Sequence, residues 1–438
     1  MITKFNFKDR TIKSYAIRKL TPRECFRLMG VRDGVIDVMQ GTAAQARARV
    51  GDDAFLPKAK DGAMAVAASQ QYRQAGNSIV VDVLAAIYGQ LWYPEERKPE
   101  AQLSFFDDLC PEQALPPRPV LGEGGDEGEK VILTTFSGYD SQLMAADALR
   151  ERHPRFRWTC AGWSDIDKYA CQMHDIVFPE FRGKALGDIT KIDWREVKAS
   201  LGGREVDLFT YSSPCQDISQ AGKQMGLKEG SDTRSALLWR VADAVEVLKP
   251  KYLLQENVAA LVSEKFMPDF KLWLAKLESL GYVNRWARLN AKDYGVPQSR
   301  DRVFCLSMRR DVAFDYRFPR PVPLERKLGD LLEEDVDERY FLRDGAVGKF
   351  LRANDQDGAA FAEFALPPTH GAAMFLKTWL TRFMAGRGGW ELSPTALQEA
   401  VNGAKDALAA DYNHWQKSGE DALGPKFAVA YRKNMERG

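Results

Sequence analysis

One short stretch of the sequence, residues 205–216 (EVDLFTYSSPCQ), constrains the fold more than any other. Its first half is an apolar run of about five residues, which suits a single buried strand. Pro214 fixes its own φ and favours extended geometry at Ser213, so the chain presents Cys215 just after the strand. A lone cysteine is usually a small core residue. Ligands of open α/β sheets bind at the carboxyl ends of strands, so this stretch also indicates a functional thiol.

Two later stretches repeat the arrangement of an apolar strand beside polar side chains. The first, YLLQENV, ends on a carboxylate and an amide, Glu256 and Asn257. The second, YGVPQSRDRVFCL, places Gln298, Arg300 and Arg302 at alternate positions. In extended geometry these three side chains lie on one face. The sequence therefore predicts that a thiol, a carboxyl group and guanidinium donors meet at one edge of a sheet.

The motifs PCQ, ENV and QSRDR, in this order, resemble the catalytic motifs of DNA cytosine-5 methyltransferases. The stretches GDIT and NAKDYGVPQSRDRVF are similar to the same family. Residues 18–30 and 71–84 resemble its last two motifs, which normally close the chain but here open it. On these motifs the chain is identified as a circularly permuted member. The resemblance covers most of residues 18–90 and 131–330.

The resemblance implies a doubly wound, Rossmann-like α/β domain that uses S-adenosylmethionine, with a smaller second domain for target recognition. We expect the permuted motifs in residues 1–91, with a helix over 76–91 packed on the catalytic domain. A linker rich in proline, glycine and acidic residues follows over 92–130. The catalytic domain is predicted for 131–330 and the target-recognition domain for 331–438.

The resemblance also implies the residues that contact S-adenosylmethionine. Asp165 is expected to hold the ribose hydroxyls, Ile166 to pack on adenine and Asp188 to accept from the adenine amino group. Asn77 and Ser78, placed at a helix N-terminus, would offer N–H groups to the methionine carboxylate. The complete predicted set is Phe136, Ser137, Gly138, Asp165, Ile166, Asp188, Ile189, Pro214, Asn77 and Ser78.

The turn after the first predicted strand departs from the family pattern. VILTTF, SGYDSQ and LMAADALRER read as strand, turn and helix, the usual meeting point of such a sheet with a nucleotide. The family's turn is richer in glycine, and here only Gly138 stands at one of its glycine positions. Asp140 and Ser141 occupy the other two.

The chemistry of cytosine explains why these residue types belong together. A nucleophile that adds to C6 makes C5 reactive, and a thiolate suits this task at neutral pH. By resemblance Cys215 is the nucleophile and Glu256 supplies a proton to N3, with Asn257 fixing the local geometry. Arg302 would hold the 2-carbonyl oxygen, and Arg300 would support the thiolate pocket. The target base must leave the duplex to be reached.

Predicted contacts to DNA lie mostly in the glycine-, lysine- and serine-containing loop after Cys215, where side chains can reach phosphates. The predicted DNA or substrate contacts are Gln216, Ser219, Lys223, Arg234 and Gln298. Residues 331–438 are neither clearly basic nor glycine-rich. The segment 370–390 is the best DNA-facing candidate there, although an amphipathic core helix explains it as well.

Composition limits the partners. Lysine and arginine number 62 against 61 acidic residues, so any nucleic-acid footprint must come from local clustering. No apolar run approaches the roughly 20 residues of a membrane helix. Six cysteines without a CxxC pair, and no signal-peptide core, indicate reduced thiols in the cytoplasm. Four histidines without metal-ligand spacing argue against a metal. The implied partner is double-stranded DNA, and a cognate restriction endonuclease is compatible with it.

Three alternatives stay open. The first is a cytosine-5 methyltransferase that acts on RNA, since the same chemistry applies. The second is a catalytically silent DNA-binding relative, although the intact set of Cys215, Glu256 and Arg302 argues against silence. The third is a dinucleotide-dependent oxidoreductase, which would need a glycine-rich first turn that GYDSQ does not provide.

Overall fold

The structure is a computed structural model of the chain. It describes residues 2–6, 12–15, 17–51, 63–94, 115, 128–214, 237–342, 361–364, 370–385, 399 and 402–418. The chain divides into two compact units. One combines residues 1–21 with residues 334–438, and the other comprises residues 22–333.

The strands of the described residues are, in chain order, β1 (Ile2–Asn6), β2 (Ile12–Tyr15), β3 (Lys130–Thr135), β4 (Trp158–Ser164), β5 (Leu208–Tyr211), β6 (Tyr252–Val258), β7 (Tyr282–Asn290), β8 (Asp301–Arg309) and β9 (Phe361–Phe364). The α-helices of the larger unit are α1 (Pro22–Arg27), α2 (Asp33–Met39), α3 (Ala43–Val50), α4 (Ala68–Asn77), α5 (Val81–Trp92), α6 (Ser141–Arg152), α7 (Lys168–Val177), α8 (Trp194–Ser200), α9 (Leu238–Leu248) and α10 (Met267–Ser279).

A six-stranded sheet forms the centre of the larger unit, in the order β4-β3-β5-β6-β8-β7. β4, β3, β5 and β6 are parallel, whereas β8 pairs antiparallel with both β6 and β7. The chain passes from β3 to β4 on one side and then returns to place β5 on the other side. This reversal is a topological switch point, where open α/β sheets bind their ligands.

Helices cover both faces of this sheet. Buried side chains of α5, α6 and α7 belong to the core on one face, and those of α8, α9 and α10 to the core on the other. In α9 the buried residues Leu238, Val241, Val245 and Leu248 recur at the spacing of one helix face. The predicted doubly wound α/β fold is confirmed.

The prediction of a single helix over residues 76–91 differs from the structure, in which these residues belong to two helices and the loop between them. Gly76 and Asn77 form the end of α4, and Ser78 caps that helix in extended geometry. Val80 is also extended, so α5 begins only at Val81. The helix start was therefore predicted wrongly, and Asn77 and Ser78 lie at a helix C-terminus. α5 packs against α6, with Leu84 and Ile87 fully buried.

The smaller unit contains the antiparallel sheet β2-β1-β9 and the helices His370–Ala385 and Lys405–Ser418. Phe375 packs edge-on against Tyr412 at 5.2 Å between ring centroids. The Trp379 indole donates to Asp411 at 2.8 Å. The first helix thus has a buried apolar face, as expected of an amphipathic core helix.

Candidate active site

A cavity of about 600 Å³ lies at the carboxyl ends of β3, β4, β5 and β6. It is lined by all ten residues that were predicted to contact the cofactor, namely Phe136, Ser137, Gly138, Asp165, Ile166, Asp188, Ile189, Pro214, Asn77 and Ser78. It is also lined by four of the five predicted catalytic residues, Glu256, Asn257, Arg300 and Arg302. Side chains that are more than 200 residues apart in sequence therefore share one cavity.

The fifth predicted catalytic residue, Cys215, lies outside the described residues, although Pro214 directly before it lines the cavity. Four predicted DNA or substrate contacts also lie outside them, namely Gln216, Ser219, Lys223 and Arg234.

The structure corrects the prediction that Gln298 shares a face with Arg300 and Arg302. A 3-10 turn over Ala291–Tyr294 ends at Gly295, whose φ of 84° turns the chain, and β8 starts only at Asp301. Gln298 is therefore not part of an extended strand. Its side-chain amide donates to the Leu28 carbonyl at 2.8 Å, and it is not among the residues that line the cavity.

Glu256 is the buried carboxyl group of the site. It stands near the end of β6, and its Oε1 lies 3.0 Å from Nε of Arg302 on the neighbouring strand β8. The Ser212 hydroxyl donates to Oε2 at 2.5 Å from just beyond β5. Each oxygen of the carboxyl group thus has a polar partner, which compensates its burial. Ser212 was not predicted as a site residue, and the only feature of the sequence that could have indicated it is its position at the end of a predicted strand.

Asn257 fixes the chain ends around this carboxyl group. Its side-chain amide donates to the Ser213 carbonyl at 3.3 Å, and its Oδ1 accepts from the Val258 amide at 2.8 Å. Both Asn257 and Ser213 are buried. The end of β6 is therefore tied to the segment that leads to Cys215.

The turn after β3 explains how an aspartate occupies a glycine position of the family pattern. Phe136, Gly138 and Asp140 all adopt positive φ, of 53°, 57° and 67°. Aspartate tolerates this left-handed region better than most residues. The buried Asp140 side chain caps α6 at the Leu143 amide and accepts from the Thr134 hydroxyl at 2.7 Å.

A buried histidine stands behind this turn. His174 Nε2 lies 3.4 Å from Asp140 Oδ2, and the imidazole stacks on the Trp163 ring at 3.8 Å between centroids. Burial opposes the charged imidazolium, but the nearby carboxylates of Asp140 and Asp175 outweigh it and raise the pKa of His174. The pair anchors α7 beneath the turn.

Asp165 follows β4 and faces the same turn. Its carboxylate accepts from the Gly138 amide and from the Asp167 amide, each at 2.8 Å. Burial raises the pKa of Asp165 even though these amides favour the charged form. Next to it the Ile166 side chain is 74 % exposed at the cavity. A carboxylate beside an exposed apolar side chain suits the ribose and base of a nucleoside.

Asp188 and Ile189 form another part of the cavity wall. The backbone N–H and hydroxyl of Thr190 donate to Asp188 and lower the pKa of its carboxyl group. The carboxylate is therefore ionised at neutral pH and is a strong acceptor beside the cavity. Ile189 is buried.

The loop between α4 and α5 lines the cavity together with residues of the sheet. Nη2 of Arg300 donates to the carbonyls of Gly76 and Ser78 at 2.9 and 2.7 Å. Within α4, Arg73 pairs with Asp167 at 3.1 Å, and the Gln74 amide donates to the carbonyl of Tyr169 at 2.7 Å. These contacts join the N-terminal segment to β8 and α7.

The lining residues Gln70, Arg73 and Gln74 were not predicted from the sequence. The only sequence feature that could have indicated them was their position directly before the GNS motif.

Among the residues that the structure describes, no cluster of three or more His, Cys, Asp or Glu side chains is arranged to hold a metal ion. Within the same residues, no helix combines the length and apolar character needed to cross a membrane.

A doubly wound sheet with a cavity at its switch point, and acidic side chains after its strands, is typical of nucleotide-binding α/β proteins. Residues 138–418 match the model of the C-5 cytosine-specific DNA methylase family. The match spans more than half of the chain, and the protein belongs to this family. The resemblance recognised from the motifs is confirmed, whereas the circular permutation stays a prediction.

Individual relatives match parts of the chain. A type II methyltransferase, M2.ScrFI of Lactococcus lactis subsp. cremoris, is 39% identical over 48% of this chain and 55% of its own length. The orphan methyltransferase M.SssI of Spiroplasma monobiae is 43% identical over 30% of this chain and 35% of its own length. The chain thus spans about half or less of these relatives. The solved structure of the Entamoeba histolytica methyltransferase EhMeth covers 50% of this chain and 65% of its own at 21% identity, with a TM-score of 0.39.

Proposed function

We propose that this protein transfers a methyl group from S-adenosylmethionine to C5 of a flipped-out cytosine in DNA, through a covalent bond between Cys215 and C6. One observation carries the proposal. The cavity at the switch point is lined both by the residues predicted to hold the cofactor and by the Glu256–Arg302 pair. Cofactor and base would then meet in one space, as methyl transfer requires.

The cavity fits S-adenosylmethionine in size and chemistry. Its volume of about 600 Å³ falls within the usual range of small-molecule sites. Asp165 and Asp188 offer acceptors for ribose and adenine, and the exposed Ile166 offers an apolar surface for the base. The loop that contains Asn77 and Ser78 would face the methionine end. When bound, the cofactor supplies an electrophilic methyl group on a positively charged sulfur.

The chain's own residues would activate the cytosine. The Cys215 thiolate forms a bond to C6, the ring electrons move towards N3, and N3 takes a proton from Glu256. C5 then carries the electron density with which it would take up the methyl group that the cofactor sulfur releases. Afterwards C5 loses its proton to a base or water, the Cys215–C6 bond breaks to release the thiolate, and N3 returns its proton to Glu256, so that the aromatic ring is restored.

The surroundings of Glu256 suit proton transfer. Arg302 and Ser212 hold its two oxygens at 3.0 and 2.5 Å, so the carboxyl group cannot rotate freely. The guanidinium of Arg302 is also proposed to hold the 2-carbonyl oxygen of the base. Preorganised donors of this kind stabilise charge that develops on a carbonyl.

Three further assignments remain proposals. Circular permutation is supported by the α4–α5 segment, which lines the cavity together with residues of β3 to β8. Residues 331–438 are proposed to recognise the DNA target, with Gln216, Ser219, Lys223 and Arg234 near the phosphates. A cognate restriction endonuclease is a proposed partner, although one of the relatives above carries the name of an orphan methyltransferase.

The proposal is tested by Cys215→Ala with tritiated S-adenosylmethionine and duplex DNA. We expect transfer to fall below detection while the affinity for S-adenosylhomocysteine stays within about twofold, because the thiol acts on the base. Cys25→Ala removes another thiol outside the cavity lining and should keep its activity. Wild-type protein should also be trapped covalently on DNA that contains 5-fluorocytosine. An active Cys215→Ala variant would refute the mechanism, and transfer to RNA alone would refute the DNA substrate.

A further inference from the structure

The guanidinium of Arg300 is hydrogen-bonded to the backbone of the α4–α5 loop. Its Nη2 donates to two carbonyls that flank Asn77, those of Gly76 at 2.9 Å and Ser78 at 2.7 Å. The two acceptor residues lie 224 and 222 positions before Arg300 in the chain. The bond therefore joins two distant segments of the fold.

The backbone of Arg300 is itself held in place. Its N–H donates to Oδ1 of Asn290 at 3.2 Å, and its carbonyl accepts from the Ala291 amide at 3.1 Å. The guanidinium thus extends from a braced position at the start of β8. A braced donor can fix a loop, because less entropy is lost when it forms its hydrogen bonds.

The two acceptors are suited to a cation. α4 ends at Asn77, so the carbonyls of Gly76 and Ser78 belong to its C-terminal end, where the helix dipole is negative. One nitrogen of the guanidinium donates to both carbonyls, and the planar, rigid group fixes the direction of the two bonds, whereas an ammonium group ends a flexible stem and fixes no such direction. The same loop contributes Gly76, Asn77, Ser78 and Ile79 to the cavity lining.

We propose that Arg300 is a positioning residue for the methionine end of the cofactor, which it shapes through the α4–α5 loop. This inference rests on the proposed function, in which the loop that contains Asn77 and Ser78 faces the methionine end of the cofactor. It differs from the predicted support of the thiolate pocket. Two residues further on, Arg302 pairs with Glu256. Residues 300–302 therefore contact the α4–α5 loop through one arginine and the carboxyl group of Glu256 through the other.

The proposal predicts that changing Arg300 weakens the binding of the amino-acid end of the ligand and leaves the binding of its nucleoside end unchanged. S-adenosylhomocysteine carries the amino-acid end, and 5′-methylthioadenosine has the same nucleoside without it. In Arg300→Lys we expect the Kd of S-adenosylhomocysteine to rise about tenfold or more, as for lost charge-assisted hydrogen bonds. The Kd of 5′-methylthioadenosine should change less than about twofold, because the nucleoside part binds at Asp165 and Ile166.

Arg288→Lys is the matched control. Arg288 lies in the same β-hairpin and pairs with Asp301 at 2.8 Å, one residue from Arg300. It is exposed and is not part of the cavity lining. Both ligands should bind to this variant as to the wild type. Thermal unfolding of all three proteins shows whether each variant is folded, and Arg300→Met provides a second substitution if the lysine variant is not.

Binding is measured by calorimetry with each ligand alone, without DNA and without turnover. Selective loss of S-adenosylhomocysteine affinity supports the proposal, and so does a raised KM for S-adenosylmethionine at an unchanged kcat. Equal weakening of both ligands, or no weakening of either, overturns it. If the wild-type protein binds neither ligand, the proposed function fails first and this proposal fails with it, which is a different result from an unaffected variant.

Discussion

Glu256 and Arg302 occupy diagonal positions on two antiparallel strands, with Nε of the arginine 3.0 Å from Oε1 of the glutamate. The residue directly opposite Arg302 is Val258, and the one opposite Glu256 is Phe304. Diagonal residues of a sheet share a face and lie within reach of long side chains. The strand register thus places the acid and the guanidinium together at the edge of the cavity.

Replacing Glu256 by glutamine tests whether this pair serves catalysis. The amide keeps the size of the side chain but has no acidic proton, so we expect the rate of methyl transfer to fall by about 10²- to 10⁴-fold. Binding of S-adenosylhomocysteine should stay within about twofold of the wild-type value. Single-turnover transfer and calorimetry measure the two quantities.

Glu264→Gln serves as the control for that change, because Glu264 is an exposed glutamate shortly after β6. It should leave both quantities unaltered. If Glu256→Gln transferred methyl groups at the wild-type rate, the proton for N3 would have to come from another group.

Cysteine reactivity gives a prediction that depends on pH. Burial and the charge of Glu24 raise the pKa of Cys25 to about 11, and burial with three nearby aspartates raises the pKa of Cys171 to about 12. At pH 8 only about one Cys25 thiol in a thousand is then ionised, and fewer at Cys171. Iodoacetamide should label neither residue appreciably at pH 8. Labelling of Cys25 should increase as the pH is raised towards 11.

Mass spectrometry of tryptic peptides measures this labelling site by site. If Cys215 is the nucleophile, its peptide should be labelled first at pH 8, since the thiolate is the reactive form. Cys160 is fully buried and should stay unlabelled in the folded protein. Rapid labelling of Cys171 at pH 8 would contradict the burial that the structure gives it.

Local sequence patterns were sufficient to predict much of this site. An apolar run that ends in a polar residue marks a strand and its carboxyl end, and on that basis Glu256 was expected at the sheet edge, where it lines the cavity. Asp165, which also lines the cavity, was expected from the family resemblance. Such a pattern depends only on near neighbours in the chain. The ligand-facing edge of a parallel sheet therefore leaves a readable signal.

Other features depend on contacts that no local pattern contains. Gln298 lies between the turn at Gly295 and the start of β8 at Asp301, and the extended geometry at Ser78 ends α4 before α5 begins. The acceptors of Arg300 and the donor Ser212 are distant in sequence from their partners. Their roles follow from how the segments pack, which the order of residues alone does not give.

The left-handed backbone of Asp140 leads to a prediction about stability. Glycine and alanine both remove the carboxylate that bonds Thr134 and the Leu143 amide. Alanine at φ 67° also meets a steric penalty that glycine avoids, so Asp140→Ala should be less stable than Asp140→Gly. The N-cap Asp167 has an ordinary φ of −78° and provides the comparison.

We expect the alanine–glycine difference in unfolding free energy to be about 1 kcal/mol larger at position 140 than at position 167. Urea unfolding of the four variants gives this double difference. Equal differences at the two positions would mean that the turn relaxes to ordinary backbone angles when the aspartate is lost.

The packing of α5 on α6 leads to a prediction about the unfolding free energy that the N-terminal segment contributes to the larger unit. Leu84 is 1 % exposed in the core shared with α6, whereas Leu272 on α10 is 61 % exposed. Leu84→Ala should lower the unfolding free energy by about 2–5 kcal/mol, because it leaves a cavity in a packed core. Leu272→Ala should change it by no more than about 0.5 kcal/mol. Because α5 continues from the loop at Asn77, Leu84→Ala should also weaken S-adenosylhomocysteine binding, measured below the unfolding transition. Equal stability of the two alanine variants would mean that α5 does not pack on α6 as the structure has it.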